Sequence, residues 1–442
     1  MQPACRVACT AIAAACAILQ MPTLALGFTV DARRLAMGGV VITGCQELLA
    51  LNVAYHSVPA RPGVTGVVVP IPLGVVQLVQ DPPSFDPDAD DFSVTRLANL
   101  ALNPPFYLEL DRPSDLDGDI SIRIARNEFA IDFEDASALL PQKPFEVGGV
   151  WSMPMFGTAL GPTRTYLAPL TYLEGELAFD DAFYAVLAQG QPLEPNSTYR
   201  LNARGESLGG FSLHSGWSAP LVTDVRGNGL YAGVFAKYIL GIGMSHATSE
   251  FAMSTADTIF GESNSLAVDY AAELRYGEFG HIGNGYGFDA GLGVRVGAFD
   301  IGLGVRDVGA RIHWSRTRLY HTVWDETNRD LQTTLVARDQ PFVQNLPTQG
   351  TFNIGWMSRK TALAADVSTS RLGTLVHLGA ERRTGPLALR AGMLTDYDTR
   401  VQWAAGFGIG GQSLSFDVAL QTHNRSFTGE RGLMLATSFA LR

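Results

Sequence analysis

An acidic cluster in the first third of the chain has the residue types and spacing of a metal site. Asp115, Asp117 and Asp119 occupy alternate positions. Three carboxylates at this spacing can converge on a hard cation such as calcium. An EF-hand loop places glycine sixth and glutamate twelfth, but Ile120 and Arg126 stand there. A calcium site and a solvated acidic turn both remain open, and no other cofactor is predicted.

Neighbouring serines and histidines are the candidates for nucleophilic catalysis. They occur as His214 with Ser215, as Ser245 with His246, and as His423 close to Ser426. A barrel hydrolase needs a serine, a histidine and an orienting polar partner in one place. No spacing in the sequence imposes that arrangement, so we predict that the protein is not an enzyme.

Charged residues recur within apolar segments of the second half of the chain. These are Asp289, Arg295, Asp300, Arg306, Arg311, Asp366, Arg390 and Asp417. If the segments enclose a lumen, such charges either tune its selectivity or pair with one another to offset their desolvation. Both interpretations stay open. The glycine repeats around them belong to strands and do not indicate a nucleotide site.

Alternation of apolar and polar residues defines the elements that must position these charges. From Tyr286 to Val296 the even positions are apolar, whereas the odd positions hold glycine, Asp289 and Arg295. A period of two predicts a strand with one apolar and one polar face. Such a strand suits either a wall between lipid and a polar lumen or a soluble sandwich.

Repetition of this pattern favours the membrane wall. About 12 to 14 segments between Gly148 and Leu441 alternate in this way, each near the ~10 residues that a tilted span needs. We predict an all-β fold, a transmembrane antiparallel β-barrel of about 12–14 strands formed by residues 148–442. The sheet must close, because hydrocarbon leaves unpaired strand edges unsatisfied. An exported soluble all-β protein is the alternative.

One irregularity is predicted in the wall. A slip of one residue before Val308 indicates a β-bulge. Beyond it, Ala310, Ile312 and Trp314 are expected on the lipid side and Arg311 on the lumen side.

Aromatic residues and connection lengths suggest where the wall meets water. Aromatics near predicted strand ends suit interfacial girdles, with ordinary core packing as the alternative; they are Tyr238, Tyr276, Tyr286, Trp314, Trp356 and Trp403. The polar stretches Thr248–Ser265 and Ser315–Gln349 are expected to be external loops. Gly410-Gly411 and Arg383–Pro386 are expected to be periplasmic turns.

The beginning of the chain predicts export. Residues 1–27 have the layout of a cleaved signal peptide, with an apolar run from Val7 to Leu19 and small residues before position 28. Cys45 is then the one cysteine left, which excludes a disulfide framework and a cysteine-based zinc site. The net charge of −11 argues against a nucleic-acid partner. We expect the mature protein to lie in the lipid bilayer of the outer membrane.

The region 28–147 differs from the alternating half. Between residues 52 and 142 it is rich in proline and aspartate, which predicts an acidic subdomain. Gly38-Gly39 permits positive φ and close backbone approach, as a segment threaded through a crowded lumen requires. A plain turn is the alternative.

The stretch Phe28–Gly39, with its Met-Gly-Gly element, resembles the opening of the FadL-like outer-membrane proteins. This group includes long-chain fatty-acid transporters, PorV-type secretion-associated barrels and TraF-like conjugation proteins. The segments 387–392, 405–409 and 414–419 are similar to the final hairpins of these barrels. Where the family carries Asn-Pro-Ala, this chain has Asn52 followed by valine and alanine.

The resemblance implies a hatch inside the barrel, with Asp31, Met37, Gly38, Gly39 and Asn52 among its residues. It also implies a wall that opens sideways and passive transport of a small hydrophobic molecule. The secretion and conjugation members imply an alternative, a non-transporting barrel that docks a secretion-system protein through residues 52–142.

Overall fold

The computed structural model describes most of the second half of the chain and part of the first. The described residues are 31–42, 46–59, 61, 67–70, 106–107, 124–125, 128–129, 145–152, 154, 156–189, 192–257, 266–278, 280–325, 327, 330–395, 401–411, 414–422 and 433–441. The predicted signal peptide 1–27 and the acidic cluster Asp115, Asp117 and Asp119 lie outside them.

Strands dominate the described residues, and the helices are short. The helices are α1 (Ala32–Ala36), α2 (Gln46–Leu51), a 3-10 turn (Val53–His56) and α3 (Asp181–Gln189). The strands are β1 (Val67–Pro70), β2 (Phe106–Tyr107), β3 (Ile124–Ala125), β4 (Glu128–Phe129), β5 (Phe145–Ser152), β6 (Phe156–Leu160), β7 (Thr163–Phe179), β8 (Thr198–Thr223), β9 (Gly229–Thr255), β10 (Leu266–Gly277), β11 (Gly283–Val296), β12 (Phe299–Asp325), β13 (Asp330–Asn345), β14 (Gln349–Met357), β15 (Thr361–Ser370), β16 (Gly373–Thr384), β17 (Leu387–Thr395), β18 (Val401–Gly410), β19 (Leu414–Thr422) and β20 (Leu433–Leu441). None of the described helices is both long and apolar enough to cross a bilayer.

One antiparallel sheet of 18 strands contains every strand except the hairpin β3–β4. Three pairs of strands share a partner and continue each other: β5 and β6 along β7, β10 and β11 along β9, and β13 and β14 along β12. The sheet therefore runs from β5 to β20 in thirteen lines, and β1 and β2 both pair with the far side of β20. This agrees with the predicted strand number.

The two faces of the sheet differ as a membrane wall requires. In β11, the outward Leu292 is 47% exposed, whereas the inward Asp289 is 2% exposed. Large apolar side chains cover the outer face of nearly every strand, and charged or polar ones are buried inside. At roughly 25 cal/mol per Å² of apolar surface removed from water, lipid is the favourable surrounding for such an exterior. The fold is a transmembrane antiparallel β-barrel, as predicted.

Two successive bulges in β12 overturn one part of the prediction. Pairing with β11 shifts twice between Val305 and Arg311, where Asp307 and Gly309 have positive φ. The first shift was expected, but the second cancels it and restores the original alternation. Arg311 consequently lies on the exposed outer face opposite Tyr286, so its assignment to the lumen is wrong. Trp314 is 1% exposed inside the barrel and is not a girdle residue.

The predicted external loops are largely strand. Strand β12 extends to Asp325 and β13 begins at Asp330, within the expected loop 315–349. Likewise β9 continues to Thr255. Because these polar extensions pair with one another rather than with a core, their composition resembles that of loops. Tight turns at residues 161–162, 297–298 and 385–386 lie at the opposite end, which we call the lower end, whereas the turn at 371–372 lies at the upper end.

Candidate functional site

The N-terminal segment, described for residues 31–42 and 46–59, lies inside the ring of strands. Residues of this segment contact groups on the inner face of twelve strands. The contacting positions are Tyr166, Ser218, Gly233, Leu292, Gly304, Asn353, Asp366, Glu381, Met393, Gly406, Ala419 and Ser438. Since these strands surround the segment on all sides, it occupies the lower part of the lumen.

The first predicted hatch residues form one tightly packed turn. Asp31 caps α1 by accepting a hydrogen bond from Arg33 N at 2.9 Å. Gly38 and Gly39 have φ values of +72° and +80°. A side chain at Gly38 would place Cβ 2.6 Å from the carbonyl oxygen of Met393. Met37 is fully buried beside this turn. The close backbone approach predicted for this glycine pair is present at Gly38.

Asn52 holds the second part of the segment to the wall. Its Nδ2 donates to the Leu292 carbonyl at 2.9 Å, and its Oδ1 accepts from Ala54 N at 3.1 Å. The first bond crosses from the segment to β11, and the second caps the 3-10 turn. The contact needs an unobstructed wall, because a Cβ at Gly291 would lie 2.0 Å from Asn52 Oδ1.

Glu381 on β16 is the main charged anchor of the segment. It accepts from Arg33 Nε at 2.8 Å and from Arg390 Nε at 2.7 Å. Arg390 in turn pairs with Asp417 at 2.7 Å. All four side chains are at most 5% exposed. Such a fully paired cluster offsets the desolvation that each isolated charge would suffer.

Two further inward carboxylates bind N-terminal residues, Asp366 within the segment and Asp300 just beyond it. Asp366 accepts from Val41 N at 2.7 Å and contacts His377 Nδ1 at 2.6 Å. Asp300 accepts from Arg295 Nε at 2.6 Å and from Arg61 Nε at 2.8 Å. The predicted inward charges thus mostly face the N-terminal segment and each other rather than an open channel.

A lower charged layer lies above the segment, on β8, β9, β11 and β12. Lys237 Nζ lies 2.7 Å from a carboxylate oxygen of both Asp289 and Asp307. Arg306 Nε lies 3.6 Å from Asp307 and donates to Gln349. The positive φ of Asp307, 59°, turns its carboxylate inward next to Arg306. The charges of the two carboxylates and the two cationic side chains therefore cancel within this layer.

Ser212, His214 and Asp289 stand in the order of a hydrolase triad at the top of this layer. Ser212 Oγ lies 2.8 Å from His214 Nε2, and His214 Nδ1 lies 3.3 Å from Asp289 Oδ2. The sequence paired His214 with Ser215, but Ser215 faces outward. Asp289 is also held by Lys237 and the Asp307 amide, and Ser212 is 1% exposed. We interpret the trio as part of the buried polar network.

Above the lower charged layer comes an apolar layer. Its buried residues are Leu170, Tyr172, Leu208, Ile239, Met244, Ala310, Ile312, Trp314 and Leu346, with Val150 and Phe342 packed against them. All but one of the buried residues lie on β7, β8, β9 and β12, and Leu346 lies between β13 and β14. It is the largest of the buried apolar clusters formed by the described residues.

An upper charged layer covers the apolar layer. Glu206 contacts His246 Nδ1 at 3.0 Å and Arg204 at 2.7 Å. Glu174 accepts from Tyr172 Oη at 2.5 Å and pairs with Arg371. The two carboxylates are matched by two guanidinium groups. Neither charged layer presents an unpaired charge to the apolar layer between them.

The Trp314 side chain covers the inner surface of the wall where β10 ends and β11 begins. Its indole lies against Gly241, Gly277 and Gly283, where a Cβ would come within 2.6, 3.2 and 2.7 Å of the ring. Strand β10 ends at Gly277 and β11 begins at Gly283, and Glu278 N still donates to the Arg316 carbonyl of β12. The apolar layer therefore borders the place where β10 gives way to β11.

Sequence reasoning missed several of these residues. The inward direction of Lys237 and Glu381 could have been predicted, since each occupies an inward position in the alternating pattern of its strand. The direction of Asp307 and Trp314 could not have been predicted in this way, because it depends on the two bulges in β12. No group of three or more His, Cys, Asp or Glu side chains that could hold a metal occurs within the described ranges.

Together, the wall and its filled lumen define a class, the transmembrane β-barrels with an inserted N-terminal segment. No family profile and no curated protein matches the sequence. Similar solved structures include the toluene transporter TbuX of Ralstonia pickettii, at 11% identity over 69% of this chain and 89% of that one, with a TM-score of 0.32. The toluene transporter TodX of Pseudomonas putida is 12% identical over 73% and 93%, with a TM-score of 0.26.

A porin mutant from Rh. blastica is 10% identical over 53% of this chain and 99% of that one, with a TM-score of 0.21. At these values the likeness supports no statement about ligand. The barrel that the FadL-like resemblance implies is present.

Proposed function

We propose that this protein is an outer-membrane β-barrel that carries a small hydrophobic molecule passively across the membrane. The observation that carries the proposal is the apolar layer, which lies between two balanced charged layers inside the lumen. This layer is a buried apolar surface with charged groups above and below it. It favours an apolar solute that leaves water on entering.

The wall supports both the location and a sideways route. Its apolar exterior suits lipid, and bacterial barrels keep their short turns on the periplasmic side, which assigns the lower end to the periplasm. The place where β10 gives way to β11, at residues 278–282, borders the apolar layer through Trp314. A molecule in that layer is thus one side chain away from the bilayer, in keeping with the lateral opening that the FadL-like resemblance implies.

The N-terminal segment 31–59 serves as the hatch in this proposal. It fills the lower lumen and is held by Glu381 and Asp366, and Arg295 donates to the Pro59 carbonyl at its end. The remaining inward charges pair among themselves, so their role is to anchor the hatch and offset desolvation rather than to select ions.

Filling the apolar layer tests the transport function. Ala310 is 2% exposed within it, whereas Val308, two residues earlier on the same strand, points outward. We expect Ala310→Phe, expressed in the outer membrane of a Gram-negative host, to reduce uptake of the hydrophobic dye N-phenyl-1-naphthylamine by intact cells to the level of cells without the barrel. Val308→Phe should leave uptake unchanged.

Heat-modifiable migration on gels would verify that both variants fold. Uptake by folded Ala310→Phe at the rate of the unmodified barrel would refute transport through the apolar layer. Wild-type uptake equal to that of cells lacking the barrel would refute hydrophobic transport altogether.

We further propose that the protein is not an enzyme, despite the geometry of Ser212 and His214. A fluorophosphonate probe, which labels activated serines, should not modify the folded barrel, while a serine hydrolase in the same detergent is labelled. Labelling that disappears in Ser212→Ala would overturn this proposal. The docking alternative concerns residues 52–142, most of which lie outside the described residues, and no contact of the described ones favours it.

A further inference from the structure

Two polar atoms inside the apolar layer lack partners within the described part of the chain. They are Nε1 of Trp314, a donor, and Oε1 of Gln344, an acceptor. Both side chains are 1% exposed. The other end of the Gln344 amide is engaged, because Nε2 donates to the Ser207 carbonyl at 3.1 Å. A buried donor or acceptor without a partner is unfavourable because it has lost its hydrogen bonds to water, so each atom is expected to have a partner.

The strand register brings the two atoms to the same surface. Ile312 pairs with Gln344 and Trp314 pairs with Phe342, so Trp314 and Gln344 are diagonal neighbours on the inner face of β12 and β13. Diagonal positions on one face lie about 7–8 Å apart, within reach of long side chains. A donor and an acceptor thus project from one small area with apolar residues around them.

We propose that this pair binds the hydroxyl group of an uncharged hydrophobic molecule, an alcohol or a phenol. The inference rests on the transport function proposed above and specifies its ligand. A hydroxyl oxygen accepts from Trp314 Nε1, and its proton is donated to Gln344 Oε1. The apolar body then lies against Leu208, Ile239 and Ile312. One hydroxyl satisfies both atoms, which a plain hydrocarbon cannot do.

Charge balance selects against an anion. Among the described residues, Lys237 pairs with Asp289 and Arg371 pairs with Glu174, while the Arg275 guanidinium is held over the Phe342 ring and donates to Thr317 Oγ1. A carboxylate would therefore have to displace an existing contact to gain a cation. A carboxylate also cannot donate to Gln344 Oε1 when ionised. Its transfer from water would carry a desolvation cost with no compensating ion pair.

Three matched probes test the inference on the full-length protein in an amphipathic polymer. These are p-cresol, toluene, which lacks the hydroxyl, and p-toluate, which is ionised at pH 8. We expect titration calorimetry to show p-cresol binding most tightly. Trp314→Phe and Gln344→Met should each weaken p-cresol binding about fivefold, the loss of one hydrogen bond. Toluene binding should stay the same in both variants.

Trp403→Phe, on the exposed outer face, is the matched control and should bind all three probes as the unmodified protein does. Equal affinity of toluene and p-cresol, or an equal loss of both in Trp314→Phe, would overturn the hydroxyl site while leaving hydrophobic transport intact. Binding of none of the probes would instead remove the apolar layer as a ligand site, and with it both proposals.

Discussion

At the scale of single residues, Glu381 ties the N-terminal segment to the wall, because Arg33 donates to both of its carboxylate oxygens. Arg33, Arg390 and Arg383 all donate to its two oxygens, at 2.8, 2.7 and 2.8 Å for their Nε atoms. Arg33 belongs to the N-terminal segment and Arg390 to the wall. One carboxylate therefore neutralises charges from two parts of the molecule that must stay together.

Neutralising this carboxylate should destabilise the barrel strongly. We expect Glu381→Gln to lower the free energy of unfolding by about 3 kcal/mol, because the buried Arg33 guanidinium loses its counter-charge and Arg390 keeps only Asp417. Urea unfolding in detergent measures the change. Asp339→Asn is the control, since Asp339 pairs with Arg316 at 3.5 Å on the exposed surface and should cost under about 1 kcal/mol. A similar loss in both variants would contradict a special role for Glu381.

At this scale the sequence could indicate direction but not partners. The inward direction of Asp289, Arg295, Asp300, Arg306, Asp366, Arg390 and Asp417 follows from a period of two along each strand. Their partners are not local: Glu381 and Arg33 are 348 positions apart. No regularity of spacing links a wall strand to a segment that enters the lumen from elsewhere in the chain.

At the scale of elements, bulges decide what the lumen contains. Single slips can be detected in a sequence because the apolar positions change parity. The pair at Asp307 and Gly309 leaves parity unchanged, so the sequence shows only one of them. This second shift places Ala310, Ile312 and Trp314 inside the barrel. Without it, the apolar layer would contain no residue of β12.

The turn at Gly38 should be the element most sensitive to a single methyl group. Gly38→Ala combines a positive φ with a Cβ placed against the Met393 backbone, so the hatch must shift. Gly297 has a similar φ of +59°, but a Cβ there would meet no atom within 4 Å. Gly297→Ala therefore measures the cost of the backbone conformation alone, about 1 kcal/mol, without a steric clash. We expect trypsin to cleave after Arg33 and Arg34 faster in Gly38→Ala, and at the unmodified rate in Gly297→Ala.

Both arginines are at most 6% exposed, so cleavage reports displacement of the segment. Equal rates in all three proteins would mean that the segment tolerates the added methyl group and that Gly38 is not required for docking.

At the scale of the whole molecule, the fold followed from the sequence more completely than the lumen did. Alternation and the need to close a sheet in hydrocarbon are enough to predict a barrel and its strand number. The layering inside depends on which strands meet across the lumen, as when Arg306 of β12 donates to the Val150 carbonyl of β5. Contacts of this kind arise only after closure.

If the proposed solute crosses the filled lower lumen, the N-terminal segment must move. A disulfide can prevent that movement: a Cβ at Gly293 would lie 3.8 Å from Cβ of Ala54, within the range for bridged cysteines. In a Cys45→Ser background, we expect oxidised Ala54→Cys/Gly293→Cys to block uptake of N-phenyl-1-naphthylamine and reduction to restore it.

The control, Ala391→Cys/Ala405→Cys, joins the adjacent strands β17 and β18, which pair at these positions, and should leave uptake unchanged in either redox state. Uptake that persists with the hatch bridge confirmed by mass spectrometry would show that the solute passes a fixed segment. The route would then lie entirely above the hatch, from the upper charged layer through the apolar layer and out of the wall at residues 278–282, and the lower lumen would take no part in transport.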